Sequence, residues 1–128
     1  MILLKTIIKT DEAPKAIGPY SQGVLIDGFL YTAGQMGVVP ETGEFVEGGI
    51  EAQTERVLEN IKQILKAANM GFENVIKTTV FVTDMGDFSK INEIYGRYFK
   101  DNPPARSLVE VRNLPKGALI EIEVVAHK

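Results

Sequence analysis

The chain has 128 residues, a length that suits one domain, and its 45% hydrophobic content is enough for a buried core. Its net charge of -3 argues against a surface built to neutralise nucleic-acid phosphates. The absence of cysteine excludes disulfides, thiol nucleophiles and thiolate metal sites. The one histidine, His127, weighs against a multi-histidine metal centre or a Ser-His-Asp triad.

The N-terminal sequence does not predict a targeting segment. Its apolar run, Met1–Leu4, is shorter than the core of a signal peptide and is followed by Lys5. Nowhere does the chain approach the roughly 18 consecutive apolar residues of a membrane-spanning helix. Together with the lack of cysteine, which suits a reducing compartment, this favours a cytoplasmic protein that binds no membrane.

The first part of the chain predicts three short strands and an ordered loop. The strands are expected at Lys5–Lys9, Ser21–Ile26 and Phe29–Ala33. Asp27-Gly28 separates the last two and is a typical sequence for a two-residue hairpin turn. The segment Ala13–Tyr20 contains two prolines and a glycine, which favour a loop over a helix.

The middle of the chain predicts a long amphipathic helix followed by a strand. Between Ile50 and Asn69, apolar residues recur at helical spacing and form one stripe. The members of this stripe are Val57, Ile61, Ile64, Leu65 and Ala68. Asn69 and Gly71 are expected to end the helix. The segment Val75–Thr83 is rich in β-branched side chains and predicts a strand.

The last third predicts a second helix and two more strands. The helix is expected from Phe88 to Phe99, with an apolar stripe at helical spacing. The members of this stripe are Phe88, Ile91, Tyr95 and Tyr98. Strands follow at Arg106–Val111 and at Leu119–Ala126, and the last of these alternates clearly between two sides.

These elements predict an α/β (α+β) two-layer sandwich in which both helices lie on one face of the sheet. The strands at Val24–Ile26, Phe29–Tyr31 and Leu108-Val109 carry apolar side chains at successive positions, so they are apolar on both faces. Because the helices cover only one face, we expect a homo-oligomer to bury the other. The alternative is a monomer with irregular edge strands.

Arg106 and Glu121 are the charged residues best placed to act on a ligand. Arg106 follows Pro103-Pro104-Ala105, and a guanidinium fixed at a strand start can bind a carboxylate through two parallel hydrogen bonds. The alternative is an ordinary ion pair at a sheet edge. Glu121 interrupts the most apolar strand, where a carboxylate can orient or deprotonate water. The alternatives are a solvated glutamate beside Glu123 or a carboxylate pair with Glu110.

Three more residues are candidates for the same kind of site. Gly34 interrupts a strand pattern, which indicates a bulge or the close approach of a ligand to the backbone. Tyr20 follows Gly18-Pro19, which restricts the placement of its ring, and core packing is the alternative. Asn92 lies one turn after Phe88 at the edge of the buried stripe, and a local hydrogen bond is the alternative.

Segments along nearly the whole chain resemble, in register, the sequence signatures of the RidA (YjgF) family. They are Ala13–Gly23, Ala33–Gln35 with Pro40–Glu44, Lys77–Val82, and Pro104–Ser107 with Leu114-Pro115 and Ile120–Glu123. The resemblance implies a chorismate-mutase-like mixed sheet and a homotrimer with three clefts between subunits. It implies no cofactor, and the lack of cysteine and the single histidine already predict no metal site. For function, it implies hydrolysis of 2-imino and 2-enamino acids, such as 2-aminoacrylate and 2-aminocrotonate, to 2-keto acids and ammonia. Pyridoxal-phosphate-dependent dehydratases release these substrates.

The resemblance also implies roles for particular residues. Arg106 matches the family's arginine that holds the substrate carboxylate, and Glu121 matches the carboxylate associated with the attacking water. Tyr20 and Asn92 match residues that line the cleft. The residues whose backbone is expected to border the ligand are Gly34 and Leu108.

Two positions depart from the family pattern, and two other functions stay open. Ala33 stands where many members have serine, and Leu108 stands where many have cysteine, which leaves the substrate range open. Relatives are described as translation inhibitors with ribonuclease activity, although the acidic charge weighs against RNA as a partner. A non-catalytic protein that binds small carboxylates through Arg106 is the other alternative.

Overall fold

The computed structural model describes residues 4–128 and contains one seven-stranded sheet and two α-helices. Met1–Leu3, most of the N-terminal apolar run, lie outside the described residues. The strands in chain order are β1 (Thr6–Ile8), β2 (Gly23–Ile26), β3 (Phe29–Thr32), β4 (Gln35–Met36), β5 (Val75–Val82), β6 (Ala105–Glu110) and β7 (Ile120–His127). The helices are α1 (Gly49–Ala67) and α2 (Phe88–Tyr98). Short 3-10 helices cover Phe72–Asn74, Met85–Asp87 and Pro115–Gly117.

The sheet is mixed, with the order β1-β2-β3-β7-β5-β6, and β4 also pairs with β7. All pairs are antiparallel except β5 and β6, which are parallel and joined through α2. A parallel pair needs such a crossover because its strands run in the same direction. The predicted α+β class, with two helices and a mixed sheet, is confirmed.

Every predicted strand and helix is present, with bounds shifted by at most two residues, whereas β4 was not predicted. The Asp27-Gly28 hairpin is confirmed, since both residues have the positive φ angles, 50° and 79°, that a type I′ turn requires. Asn69 ends α1 in a left-handed conformation with φ 59°. Its N–H donates to the carbonyl of Lys66, and the next N–H donates to Leu65.

The core lies between the helices and one face of the sheet. On β7 the alternate residues Ile120, Ile122, Val124 and Ala126 are buried, and they form one cluster with the predicted stripe of α1, which is buried throughout. In α2 the prediction was partly wrong. Ile91, Ile94 and Tyr95 are buried, but Phe88 is 39% exposed. Phe88 begins the helix and faces the Arg106 cation instead of the aliphatic core.

The opposite face of the sheet, called the helix-free face below, carries apolar side chains in contact with solvent. Ile7, Val24, Tyr31 and Val125 stand side by side on four adjacent strands. Ile7 is 51% and Tyr31 49% exposed. The predicted apolarity of both faces is therefore confirmed, while the oligomer that would bury this face stays a prediction. Within residues 4–128, neither helix is both long and apolar enough to cross a membrane.

Candidate active site

Arg106 lies on the edge strand β6 and points to the helix side of the sheet. Its neighbour on β5 is Thr78, which is fully buried on that side. The guanidinium donates from Nη1 to Oδ1 of Asn92 at 2.8 Å. Its Cζ atom lies 4.8 Å from the centroid of the Tyr95 ring and 5.7 Å from that of Phe88. All three contacts come from α2, through Asn92, Tyr95 and Phe88, so this one helix holds the cation in place.

No carboxylate among residues 4–128 lies within 4.0 Å of the Arg106 guanidinium. The salt bridge found in this part of the chain joins Arg97 and Glu93 on the outer surface of α2, at 3.2 Å. The ordinary ion pair considered for Arg106 is therefore wrong. A guanidinium has more N–H donors than the one that Asn92 uses, so an anionic ligand can still be bound.

Glu121 is the second residue of β7, with Met36 on one neighbouring strand and Phe81 on the other. The carboxylate packs against Gly34, where an added β-carbon would lie 2.5 Å from Oε2. Burial raises the pKa of the Glu121 carboxyl, and the negative charge of Glu123 raises it further. Glu121 is half-buried while Glu123 is exposed, so the fully solvated alternative does not describe Glu121.

Tyr20 and Gly34 line a shared cavity of about 340 Å³ between the N-terminal loop and β4. Tyr20 is 52% exposed, so its alternative reading as a core residue is wrong. Its hydroxyl accepts a hydrogen bond from the backbone N–H of Ile17 at 3.2 Å, which holds the ring against its own loop. The ring therefore forms one wall of the cavity and remains accessible to a ligand.

Gln22 holds this loop in place and was missed by the sequence analysis. Its side chain is buried, and Nε2 donates to the carbonyls of Thr10, Ala13 and Pro14 at 2.8–3.3 Å. Its Oε1 accepts from the N–H of Thr10 at 2.7 Å. A glutamine directly before an apolar strand was the available signal, because a buried amide needs hydrogen-bond partners.

The candidate residues form two groups on opposite faces of the sheet. Successive residues of a strand point to opposite faces, so residues an odd number of positions apart do too. On β5, Thr78 is the neighbour of Arg106 and Phe81 is the neighbour of Glu121, three residues further on. Within one chain, the side chains of Arg106 and Glu121 therefore leave the sheet in opposite directions and share no pocket.

Leu108 and Glu110 belong to the Arg106 side of the sheet. The side chain of Leu108 packs against the core, which leaves only its backbone for a ligand. Glu110 pairs with Val82, next to Phe81 on β5, so Glu110 and Glu121 are on opposite faces. The carboxylate pair considered for them is wrong. Instead, Oε1 of Glu110 accepts a hydrogen bond from the N–H of Met85 at 2.8 Å.

This fold is that of a known class of small α+β proteins. Residues 10–128 match the family described as endoribonuclease L-PSP, and the chain belongs to this family, which includes the RutC and RidA (YjgF) proteins. A RutC family protein of Pyrococcus horikoshii is 54% identical over 125 residues, which cover 98% of this chain and 99% of that protein.

Two further relatives carry more specific descriptions. The human 2-iminobutanoate/2-iminopropanoate deaminase is 51% identical over 124 residues, covering 97% of this chain and 90% of that protein. The crystal structure of Escherichia coli TdcF with bound serine is similar with a TM-score of 0.92 and 44% identity. The alignment covers 96% of this chain and 98% of that one. The resemblance inferred from the sequence signatures is confirmed at the level of the family.

Proposed function

We propose that this protein is a hydrolytic deaminase that converts reactive 2-imino and 2-enamino acids to 2-keto acids and ammonia. The observation that carries the proposal is the environment of Arg106. An amide and two aromatic rings hold this cation, and no carboxylate of the described residues 4–128 forms a salt bridge with it. Such a cation can bind a substrate carboxylate through parallel hydrogen bonds. The human relative that bears the deaminase name supports the choice of reaction.

The substrate class is the one that the resemblance implies, and the Arg106 cation supports it by offering a partner for a carboxylate. Small amino-acid derivatives such as 2-aminoacrylate and 2-aminocrotonate, released by pyridoxal-phosphate-dependent dehydratases, offer a carboxylate next to a reactive C=N or C=C bond. A relative with bound serine supports a ligand of this size. The proposal keeps the cytoplasmic location expected from the sequence, where such dehydratases would supply the substrate.

The division of candidate residues between two faces supports a site made from two copies of the chain. A single substrate can reach both groups only if Arg106 and Asn92 come from one subunit and Glu121, Gly34 and Tyr20 come from the next. The exposed apolar side chains of the helix-free face support such an assembly, because an apolar patch in water favours association. We propose the homotrimer expected from the resemblance, with one site in each of three clefts.

The proposed reaction needs few groups because imines hydrolyse readily in water. An enamine substrate first tautomerises to the imine, whose carboxylate is bound by Arg106. Water held by Glu121 then adds to the carbon of the C=N bond and gives a carbinolamine. The C–N bond breaks, ammonia leaves, and the hydroxyl becomes the carbonyl of the 2-keto acid. Burial raises the pKa of Glu121, which makes its carboxylate a stronger base toward water than that of an exposed glutamate, and positioning of substrate and water supplies the rest of the rate increase.

The deciding experiment couples a dehydratase that generates the imine to detection of ammonia and keto acid. Wild-type protein should accelerate hydrolysis, and Arg106→Ala should abolish the acceleration. The matched control is Arg97→Ala, which removes a guanidinium paired with Glu93 on the outer surface of α2. Full acceleration by Arg106→Ala would show that the carboxylate is bound elsewhere.

A second candidate, cleavage of RNA, is favoured by the description of the matched family. Incubation with single-stranded RNA at physiological salt separates the two, since a ribonuclease should bind and cleave it while the deaminase should not. The third candidate, a non-catalytic binder, should bind a 2-keto acid through Arg106 and leave the rate of imine hydrolysis unchanged.

A further inference from the structure

We propose that Tyr95 and Thr78 are positioning residues that fix the direction in which the Arg106 guanidinium meets a bound carboxylate. The inference rests on the proposed function in that this carboxylate belongs to the substrate. Neither residue touches the ligand in this proposal. Each acts through the arginine, and the sequence signatures that suggested the other site residues do not single out Tyr95.

Tyr95 provides the surface on which the guanidinium lies. The Cζ atom of Arg106 is closer to the Tyr95 centroid, at 4.8 Å, than to that of Phe88, at 5.7 Å. A cation over an aromatic face is attracted by the electrons of the ring. The N–H groups of a guanidinium lie around its edge, so a ring below its face leaves that edge available to a carboxylate.

The Tyr95 ring is itself fixed by a buried hydrogen bond. The Tyr95 hydroxyl and Oγ1 of Thr78 are 2.7 Å apart, and Thr78 is fully buried. The ring also packs on Phe99, with centroids 4.7 Å apart. Burial raises the pKa of Tyr95, although Thr78 and Arg106 act against this, so the phenol keeps its proton at neutral pH. The hydrogen bond between Tyr95 and Thr78 is therefore intact at neutral pH.

Thr78, Tyr95 and Arg106 form a closed ring of contacts that links the neighbouring strands β5 and β6 through α2. Thr78 on β5 stands directly opposite Arg106 on β6, Thr78 holds the Tyr95 ring, and the ring holds the guanidinium. Asn92, one turn before Tyr95 on α2, holds Nη1 from the same helix. A long arginine side chain has many rotamers, so fixing it before the ligand arrives reduces the entropy that binding costs.

The test measures binding of 2-oxobutanoate and, separately, steady-state imine hydrolysis. Tyr95→Leu removes the ring and should raise the Kd of 2-oxobutanoate and the KM of the imine about tenfold, as expected for loss of a cation–π contact. The value of kcat should change much less, because Glu121 is untouched. Tyr95→Phe keeps the ring and should raise Kd only a few-fold. Thr78→Val should resemble Tyr95→Phe, and Thr78→Ser should restore the wild-type affinity.

A matched control separates positioning from general damage to the core. Phe72→Leu removes a ring of the neighbouring aromatic cluster that packs on Tyr98 and Phe99 instead of on Tyr95, so it should lower the stability without changing Kd. The arginine can also be observed directly by ¹⁵N NMR of its side chain without ligand. The Arg106 resonances should carry a ring-current shift and show slow guanidinium rotation, and Tyr95→Leu should remove both.

The outcomes distinguish this inference from the proposed function. If the wild type binds 2-oxobutanoate but does not accelerate imine hydrolysis, the deaminase proposal fails and Kd and NMR still test the positioning. Unchanged Kd and unchanged Arg106 resonances in Tyr95→Leu would overturn the positioning role, whatever the activity. An equal loss of affinity for 2-oxobutanoate in Phe72→Leu and Tyr95→Leu would also overturn it, since the loss would then reflect core stability alone.

Discussion

Gly34 lies so close to Glu121 that a β-carbon at position 34 would stand 2.5 Å from the carboxylate oxygen Oε2. Gly34 is not among the glycines with a positive φ, so its backbone does not require glycine. The three atoms nearest to the added β-carbon all belong to the Glu121 side chain, so the requirement for glycine comes from this contact. This contact joins the residue directly before β4 to the second residue of β7.

Gly34→Ala should displace the Glu121 carboxylate and lower kcat for imine hydrolysis about tenfold or more, since misplaced catalytic groups lose rate steeply. The Kd of 2-oxobutanoate should change less, because Arg106 is not affected. Kinetics and calorimetric titration measure the two quantities. Gly96→Ala is the control, because a β-carbon at this exposed site of α2 meets nothing within 4 Å. Equal activity of both variants would contradict the prediction.

Glu121→Gln should lower kcat and remove part of its pH dependence. The ionised carboxylate is the form that accepts a proton from water, so wild-type kcat should rise as the pH passes upward through the raised pKa of Glu121. The glutamine variant should lack this rise and keep its affinity for 2-oxobutanoate. Stopped-flow rates between pH 5 and 8 provide the comparison. A rise of the same size in the variant would assign the titration to another group.

The stability of the protein should depend on pH through the same group. The folded-state pKa of Glu121 is raised, so the folded chain binds more protons than the unfolded chain between the two pKa values. The stability contribution of Glu121 is therefore complete below its ordinary pKa and is lost as the pH rises through the raised one. Thermal unfolding should show a higher Tm for Glu121→Gln than for the wild type at neutral pH, with the difference vanishing in acid. A constant difference at all pH values would speak against this linkage.

Gln22→Leu should loosen the loop that carries Tyr20. The substitution removes all four hydrogen bonds between the amide and the backbone of residues 10–14, and we expect a loss of about 2 kcal/mol in unfolding free energy. Denaturant unfolding measures the loss, and hydrogen exchange should show faster exchange at Thr10. The control is Gln63→Leu on α1, a half-buried glutamine with no side-chain hydrogen bond within residues 4–128. Equal effects of the two substitutions would argue against a special role of Gln22.

Tyr31→Asp should break up the proposed homotrimer. The substitution places a charge among the apolar side chains of the helix-free face, between Val24 and Val125. Light scattering after gel filtration should give a trimer for the wild type and a smaller species for the variant. Lys62→Glu, on the exposed side of α1, serves as the charge-changing control. A monomeric wild type at micromolar concentration would refute both the assembly and the site shared between subunits.

The sequence was sufficient for the local features of the fold and for the identity of most candidate residues. Some features depend only on residues a few positions apart in the chain, so the sequence predicts them directly. They are the apolar stripe of α1, the Asp27-Gly28 turn and the alternation of β7. Phe88 belongs to the apolar stripe predicted for α2, yet its ring lies against the Arg106 cation. Periodicity shows on which side of a helix a residue lies, but it does not show what that side packs against. β4 has only two residues, too few for a pattern.

Which residues act together could be decided only by the tertiary structure. Strand pairing joins segments that are far apart in the chain. β7 pairs with β3, β4 and β5, and β5 also pairs with β6. No local pattern in the sequence encodes the register of these pairs. The register places Arg106 beside Thr78 and Tyr95, and it turns Glu121 to the opposite face beside Gly34. A shift of one residue on β6 would reverse the side on which the guanidinium lies, because strand side chains alternate with a period of two.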